Sequence, residues 1–295
     1  MVRGGCAGVR GGRAAPGGRG SAVPGPRGSP APLRVGWEDG GVPFTLSHVA
    51  AVVPLLGRGP GGGWVASGLV AGSMAPDVPF FADSLLPGVY RHGALTHRWW
   101  AVPTVDVAIA AGMAAVWQGL LREPLTGLLP AGLPVPAGAV PLRGAAGAGA
   151  FALSAAVGAA THVVWDSFTH PGRAGVRAVP VLGRPLAGGV PVCTALQYGT
   201  SVLGLAVLGE KVRRSARTAS AGPAAGRAGP LLRLAAGAGL AGSAAVGAAH
   251  RLARRERGPL PEFCFGAGAG LAVGAAAFAA AAAVRAGGRA QRRRA

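Results

Sequence analysis

Five stretches of the chain are apolar over roughly the length that crosses a bilayer. They occupy residues 101–121, 145–165, 194–209, 231–249 and 263–284. A helix needs about 20 apolar residues to cross about 30 Å of hydrocarbon. A soluble helix of that length shows a charged face, and these stretches show none. The pattern therefore predicts helices that are buried on all sides or lie in lipid.

Two shorter apolar stretches come first, at residues 44–56 and 64–75. The second stops at Pro76 and Asp77 and is too short to span a membrane alone. It is either re-entrant or the first half of a broken helix that runs to Phe81. Together the stretches predict an all-α fold, a polytopic transmembrane helical bundle with about five to seven membrane segments.

Residues 1–41 are dominated by Gly, Arg, Pro and Ala without apolar periodicity, which predicts a disordered extension. Because the ordered pattern starts abruptly at Val42 and valine can be encoded by GTG, we hypothesise that translation begins there. Mass spectrometry of the native N-terminus tests this hypothesis. We expect a membrane domain with a His/Asp cluster at 42–210, a basic linker at 211–230 and further membrane helices with a basic tail at 231–295.

Charge and cysteine usage narrow the class of protein. Only 13% of residues are charged, and 29 basic residues face 10 acidic ones. The arginines lie between apolar segments and at the chain ends, which suits loops near anionic head groups and argues against nucleic acid as a partner. Nearly every loop is basic, so the orientation stays open. Cys6, Cys193 and Cys264 form no CxxC pair and predict neither a disulfide framework nor a thiolate metal site.

Residues 160–172 carry the densest candidate chemistry. His162, Asp166 and His170 follow one another at steps of four, so on a helix they fall within a sector of about 80°. Imidazole and carboxylate groups on one helix face can ligate a divalent ion, usually zinc or another first-row metal. The alternative is a capped helix end in which Asp166 bonds Ser167 or Thr169. His170 is the weaker member, because Pro171 should end the helix.

Further His and Asp residues lie upstream. Asp77 marks either a turn at a helix end or a carboxylate at a broken helix that could bridge two metal ions. His92 and His97 are five apart, so only a loop or a bend at Gly93 would bring them together. Their alternative role is interfacial, beside a Trp-rich segment.

Two buried polar residues complete the set of candidates. His48 is either a buried structural histidine or a further ligand. Asp106, near the start of an apolar stretch, is a candidate buried partner for one of the histidines or for Arg98.

Three segments resemble motifs of the bacterial DUF4184 family. They read Pro-Phe-Thr-Leu-Ser-His at 43–48, Gly-Ser-Met-Ala-Pro-Asp at 72–77 and Trp-Asp-Ser-Phe-Thr-His at 165–170. The segment Leu-Gln-Tyr-Gly at 196–199 is similar to a further piece, so the resemblance covers about residues 42–210. The family consists of multi-pass membrane proteins without an established function. It typically begins at the Pro-Phe-Thr segment, which favours a start at Val42.

A second, weaker similarity is to membrane-bound predicted metal-dependent hydrolases. Their motifs include an Asp-containing turn, a His-x4-His segment and a His-x3-Asp helix, the last being similar to ligand spacing in zinc-dependent phospholipase C. Carried over to this chain, the similarity implies a metal-ligand set of Asp77, His92, His97, His162 and Asp166, with His48 as a further ligand. The chain departs from the pattern His-Arg-Gly-x-Thr-His-Ser, because Arg91 precedes His92 and Arg98 follows His97.

The sequence thus predicts a multi-pass protein of the cell membrane, in contact with the lipid bilayer, that is a metal-dependent hydrolase. His162, Asp166, Asp77 and His97 would hold one or two divalent ions at the membrane interface. The substrate would be an ester or phosphoester. A lipid-linked one fits a site at head-group depth, and Arg91 or Arg98 would bind its phosphate. The alternative is a non-enzymatic membrane protein, transporter-like or structural, whose intramembrane His and Asp residues form ion paths or helix–helix contacts.

Overall fold

A computed structural model describes residues 44–56, 65–130, 133, 144–218 and 227–292, without the side chains of 218 and 286–292. The predictions for residues 1–41, for a start at Val42 and for residue 64 lie outside this part of the chain. The same holds for residues 219–226 of the expected linker at 211–230 and for the tail after 292. The described residues belong to one unit, Gly36–Ala295.

The described residues form α-helices and no β-strand, which confirms the predicted all-α class. The helices are α1 (Thr45–Val52), α2 (Ala66–Met74), α3 (Val78–Ala82), α4 (Gly93–Thr96), α5 (Val105–Val116), α6 (Arg122–Gly127), α7 (Gly144–Thr169), α8 (Ala174–Ala178), α9 (Val192–Thr218), α10 (Pro230–Arg254) and α11 (Pro259–Arg292). A π-helical turn, Trp117–Leu121, joins α5 to α6. A 3₁₀ turn, Ala75–Asp77, joins α2 to α3.

Five helical segments of the described chain are long and apolar enough to cross a membrane: Val105–Gly127, all of α7, Val192–Arg217 in α9, all of α10, and Pro259–Arg285 in α11. Each contains most or all of one apolar stretch seen in the sequence, so the chain is a multi-pass membrane protein. In the most apolar part of α7, 39% of residues are buried, against 11% for Val105–Gly127 and for α10. Therefore α7 is the most enclosed span, and the apolar side chains of the others face outward, as lipid contact requires.

The expected helix break occurs at Pro76. Proline has no backbone N–H to donate and its ring clashes with the preceding turn, so α2 cannot continue through it. The chain makes the 3₁₀ turn Ala75–Asp77 and resumes as α3. As a result Asp77 sits at the break, where it is only 5% exposed.

Small residues let α2 and α7 approach closely. A Cβ atom added at Gly72 would overlap the backbone carbonyl of Ala155, and one added at Gly158 would overlap the carbonyl oxygen of Leu69. The backbones are therefore nearly in contact, a packing typical of helices in membranes. This contact brings the Ser73 carbonyl to the side chain of His162, one turn beyond Gly158 on α7.

We predict that Gly158→Ala destabilises the protein, because the added methyl group must push α2 and α7 apart. Gly149→Ala, on the same helix with open space around it, should be neutral or stabilising by up to about 1 kcal/mol, since alanine favours helix over glycine. Thermal unfolding in detergent micelles measures both. Equal unfolding temperatures for the two variants would contradict the close-packing interpretation.

A buried ion cluster fastens α10 and α11 to the chain after α3. Arg251 is fully buried and pairs with Asp83 at 3.0 Å and with Glu262 at 2.5 Å. Arg254 donates to the backbone carbonyl of Asp83 at 2.9 Å. Since unpaired charges are costly away from water, this cluster fixes where the helical hairpin docks. Phe265 of α11 packs there against Phe80.

The electrostatics of Asp83 match this role. Burial alone would raise the pKa of the Asp83 carboxyl, but the backbone N–H groups of Tyr90 and Gly88 and the charge of Arg251 outweigh it, so the pKa is lowered. The resulting stability is present above the ordinary pKa of about 3.9 and is lost as the pH falls through the lowered value. The docking contact should therefore persist at mildly acidic pH.

We predict that Arg251→Met destabilises the protein by about 3–5 kcal/mol, because it leaves Asp83 and Glu262 buried without their cation. Arg213→Met is the matched control, since Arg213 pairs with Glu210 on the exposed surface of α9, and it should change little. The measurement is again thermal unfolding in micelles. An unfolding temperature for Arg251→Met within a degree or so of the control would refute the assignment.

Candidate metal centre

Four buried side chains converge at one end of the membrane bundle. Asp77, His97, His162 and Asp166 each offer one ligand atom, and these atoms all lie within 4.8 Å of one another. None of the four residues is more than 6% exposed. Asp77 comes from the helix break, His97 from the residue after α4, and His162 and Asp166 from the last two turns of α7. Such a group could hold a metal ion.

The distances within the group resemble those in a ligand shell. The Nε2 atom of His97 lies 3.5 Å from Asp77 Oδ1 and 3.2 Å from Asp166 Oδ2. The Nε2 atom of His162 lies 3.4 Å from each of the same two oxygens. Charge-assisted hydrogen bonds are shorter, about 2.7–2.9 Å. Donors on a tetrahedral zinc ion, at bonds of about 2.0–2.1 Å, are separated by about 3.4 Å, which matches these contacts.

In His97 and His162, the ring nitrogen that points away from the carboxylates, Nδ1, bonds to a backbone carbonyl. His162 Nδ1 lies 2.8 Å from the Ser73 carbonyl oxygen, and His97 Nδ1 lies 2.7 Å from that of Gly93. A carbonyl only accepts, so each Nδ1 carries the hydrogen and donates it. In the neutral ring, Nε2 then holds a lone pair that faces a carboxylate. Two electron-rich atoms repel, so either a proton on Nε2 or a metal cation must lie between them. An Nδ1–H bonded to a backbone carbonyl is the usual orientation of a metal-ligating histidine.

Hydroxyl groups orient the Asp77 side of the centre. Thr45 of α1 donates to Asp77 Oδ2 at 2.5 Å, which leaves Oδ1 facing the two histidines. Thr96 donates to the Pro76 carbonyl at 2.6 Å and ties the segment before His97 to the helix break. The sequence reasoning missed both threonines. The only signals in the sequence are that Thr96 directly precedes His97 and that Thr45 lies in the Pro-Phe-Thr segment.

The carboxylates and imidazoles of this group stabilise one another's charged forms. Burial alone would raise the pKa of Asp77, but His162 and His97 outweigh it and lower the pKa. Burial alone would lower the pKa of His97, but hydrogen bonding to Asp166 and Asp77 raises it. Both shifts show that the two carboxylates attract positive charge strongly.

Two more histidines lie beside the other oxygen of Asp166. His48 stacks on His162 with ring centroids 3.8 Å apart, and its Nε2 lies 3.5 Å from Asp166 Oδ1. His170 Nδ1 also lies 3.5 Å from Asp166 Oδ1. The α7 helix ends at Thr169, as expected, yet His170 remains in place, with Gln197 of α9 at 3.0 Å from its Nε2. The whole His162, Asp166 and His170 series thus shares one site.

The alternative of a capped helix end is not what the structure shows. The Ser167 hydroxyl donates to the Val164 carbonyl, and the Thr169 hydroxyl donates to the Trp165 carbonyl. Neither hydroxyl bonds Asp166, whose Oδ1 has no hydrogen-bond partner among the described residues. The carboxylate is directed toward histidines instead.

Other predicted residues lie apart from this group. His92 is exposed and is not among the four converging residues, and Arg91 and Arg98 are also exposed. Asp106 is fully buried, but within the described chain neither of its carboxylate oxygens has a hydrogen-bond partner. The predicted bond from Asp106 to a histidine or to Arg98 is therefore absent.

The fold and this group define the class: a multi-pass α-helical membrane protein with a buried Asp-His-His-Asp group that could hold a metal ion. The family described as "Domain of unknown function (DUF4184)" matches residues 42–280, and the chain belongs to that family. The match includes all four residues of the group and extends into α11. No curated protein matches the chain, and no solved structure matches it.

Proposed function

We propose that this protein is a metal-dependent hydrolase of the cell membrane. Asp77, His97, His162 and Asp166 hold a divalent ion, with zinc or another first-row metal favoured by two imidazole nitrogens and two carboxylate oxygens. The observation that carries the proposal is the orientation of His97 and His162. Each donates Nδ1–H to a carbonyl and faces Nε2 toward both carboxylates.

The chemistry we propose is hydrolysis of an ester or phosphoester. A divalent ion bound there would lower the pKa of a water molecule toward about 7 and polarise the oxygen under attack. The protein's own part is to fix the donors and to leave one side accessible. Side-chain exposure rises from 0–1% at His162 and His97 to 10% at His48 and 20% at His170, so substrate would approach from the His170 side.

The depth of the centre supports a lipid-linked substrate. His162 and Asp166 lie in the last turns of one span, and Gln197 lies near the start of the next. Trp99 and Trp100, between α4 and α5, are more than half exposed, as is typical of residues at a membrane interface. At this depth a lipid head group would present its ester or phosphoester bond, with exposed Arg91 and Arg98 available to a phosphate.

One observation favours the alternative of a non-enzymatic ion pathway. Asp106 is fully buried in a membrane span, has no hydrogen bond from the described residues, and interacts electrostatically with His97 and His162. A buried carboxylate in a span is a common element of proton and ion paths. Under this alternative Asp106→Asn would abolish ion flux in vesicles, and the chain would show no hydrolysis.

We predict that protein purified without chelators retains at least one equivalent of a first-row metal, measured by inductively coupled plasma mass spectrometry. His162→Ala and Asp77→Asn should lose it, because each removes a donor from the inner group. His250→Ala is the control, since His250 is exposed on α10, and His92→Ala should also retain the metal. A wild-type protein free of metal would refute the proposal.

Activity is tested on the same preparations with nitrophenyl esters, nitrophenyl phosphodiesters and phosphatidylglycerol vesicles. The wild type should release product, while Asp166→Asn and a chelated sample should lose at least 100-fold in rate, about 2.7 kcal/mol. Restoring the metal should restore the rate in the chelated wild type alone. A metal-loaded protein inactive on all three substrates, with ion flux that depends on Asp106, would favour the alternative.

We predict that Thr45→Val weakens metal affinity by about 10–100-fold, the usual effect of removing a group that orients a ligand. The hydroxyl of Thr45 fixes which oxygen of Asp77 faces the histidines. Thr161→Val is the matched control, because the Thr161 hydroxyl bonds the Gly158 carbonyl within α7. Competition with a fluorescent zinc chelator gives both affinities, and equal values would show that Thr45 does not position Asp77.

A further inference from the structure

We propose that His48, His170 and the Oδ1 atom of Asp166 form a second cation site, with Asp166 bridging it to the inner one. This inference rests on the proposed function, since it assumes that the inner group binds a metal. The second site involves donors outside the group of four and would make the centre dinuclear.

The two oxygens of Asp166 are divided between two pairs of histidines. Oδ2 lies 3.2 Å from His97 Nε2 and 3.4 Å from His162 Nε2. Oδ1 lies 3.5 Å from both His48 Nε2 and His170 Nδ1. A carboxylate that bridges two cations binds one of them with each oxygen, which is the arrangement seen here.

The outer contacts are not ordinary hydrogen bonds. At 3.5 Å they exceed the usual N–H···O range of about 2.7–3.2 Å. Asp166 Oδ1 and His48 Nδ1 are both buried without a hydrogen-bond partner in the described part of the chain. Buried polar atoms normally have partners, so the unpartnered Asp166 Oδ1, which faces His48 Nε2 and His170 Nδ1, indicates a ligand.

The stacking of His48 on His162 sets the spacing. The rings are 3.8 Å apart and inclined by only 21°, and their Nε2 atoms face different oxygens of the same carboxylate. Donors on parallel rings direct two cations to positions separated by about the ring spacing. Two-metal catalytic sites have ions about 3.5–4 Å apart, so the stack has the required dimension.

His170 can serve as a ligand through Nδ1. Gln197 lies 3.0 Å from its Nε2, and a glutamine amide offers both a carbonyl oxygen and an NH₂ group. The amide Nε2 of Gln197 makes this contact and donates to His170 Nε2. When the amide turns by about 180°, its carbonyl oxygen accepts from Nε2–H instead, and the lone pair of Nδ1 then faces Asp166 Oδ1. The Thr169 hydroxyl, 3.2 Å from Nδ1, donates to the Trp165 carbonyl and need not bind the ring.

The outer site is the more open of the two. Three protein donors leave coordination positions free for water or substrate, as in catalytic rather than structural sites. The side chains of His48 and His170 are 10% and 20% exposed, whereas those of His97 and His162 are 1% and 0% exposed. The inner site therefore resembles a closed site, and the outer site faces the side from which substrate would enter.

The test is metal stoichiometry in the full chain, purified in detergent, stripped with chelator and titrated with Mn²⁺ or Zn²⁺. The wild type should bind two equivalents, and His48→Ala and His170→Ala should bind one with an unchanged unfolding temperature in the metal-free state. His250→Ala is the control and should bind two. Paramagnetic resonance of the Mn²⁺ form should show two coupled ions, and the coupling should disappear in His48→Ala and His170→Ala.

The outcomes separate this inference from the proposed function. One equivalent in the wild type, unaffected by His48→Ala, would overturn the second site and leave the inner centre intact. No bound metal at all would overturn both. Two equivalents retained in both variants, or two uncoupled Mn²⁺ ions, would overturn the assignment of the second site to His48 and His170. A variant that folds but loses both equivalents would show that no separate outer site exists.

Discussion

The structure depends on keeping two carboxylates side by side where water is nearly excluded. Asp77 and Asp166 are each 5% exposed, and both face the same pair of histidine nitrogens. Such a pair is costly without positive charge between its members. The surrounding groups hold the arrangement open, since carbonyls of Ser73 and Gly93 fix the imidazoles and Thr45 fixes one carboxylate. A cation bound between the two carboxylates would relieve this repulsion, which is why the group could hold a metal ion.

The packing of the helices brings the residues of this cluster to within contact distance of one another. The break at Pro76 places Asp77 at the end of α2, and the close contact of α2 with α7 brings Ser73 to His162. The ion cluster around Arg251 holds the hairpin of α10 and α11 on the chain after α3, where Phe80 stacks at 5.6 Å from His97. Helix packing, hydrogen bonds to the backbone and the buried ion cluster therefore together fix the positions of His97 and His162.

Much of this arrangement was visible in the sequence because it is local. The apolar stretches predicted the spans, Pro76 predicted the helix break, and the steps of four predicted that His162 and Asp166 share a face. Residues that meet across the chain were harder to predict. His92 and His97 both belonged to the ligand set that the resemblance implied, but only His97 was among the four residues predicted to hold the ions, and only His97 is buried in the group. The backbone turns through α4 between them, and five residues on such a turn place two side chains on different sides.

The sequence by itself determined an all-α membrane protein and the residue types available for a metal centre, because hydropathy and helical periodicity depend on neighbours within one or two turns. That Asp77 and His97 join the pair on α7 was implied only by the resemblance to known proteins, and the tertiary structure brings the four residues together. It also decided that Thr45 orients Asp77, that His170 remains beside Asp166 after the helix ends, and that the carboxylate of Asp106 has no hydrogen-bond partner in the described chain. These contacts join residues far apart in the chain, such as Asp77 and His162, and they follow from how helices pack, which no local pattern records.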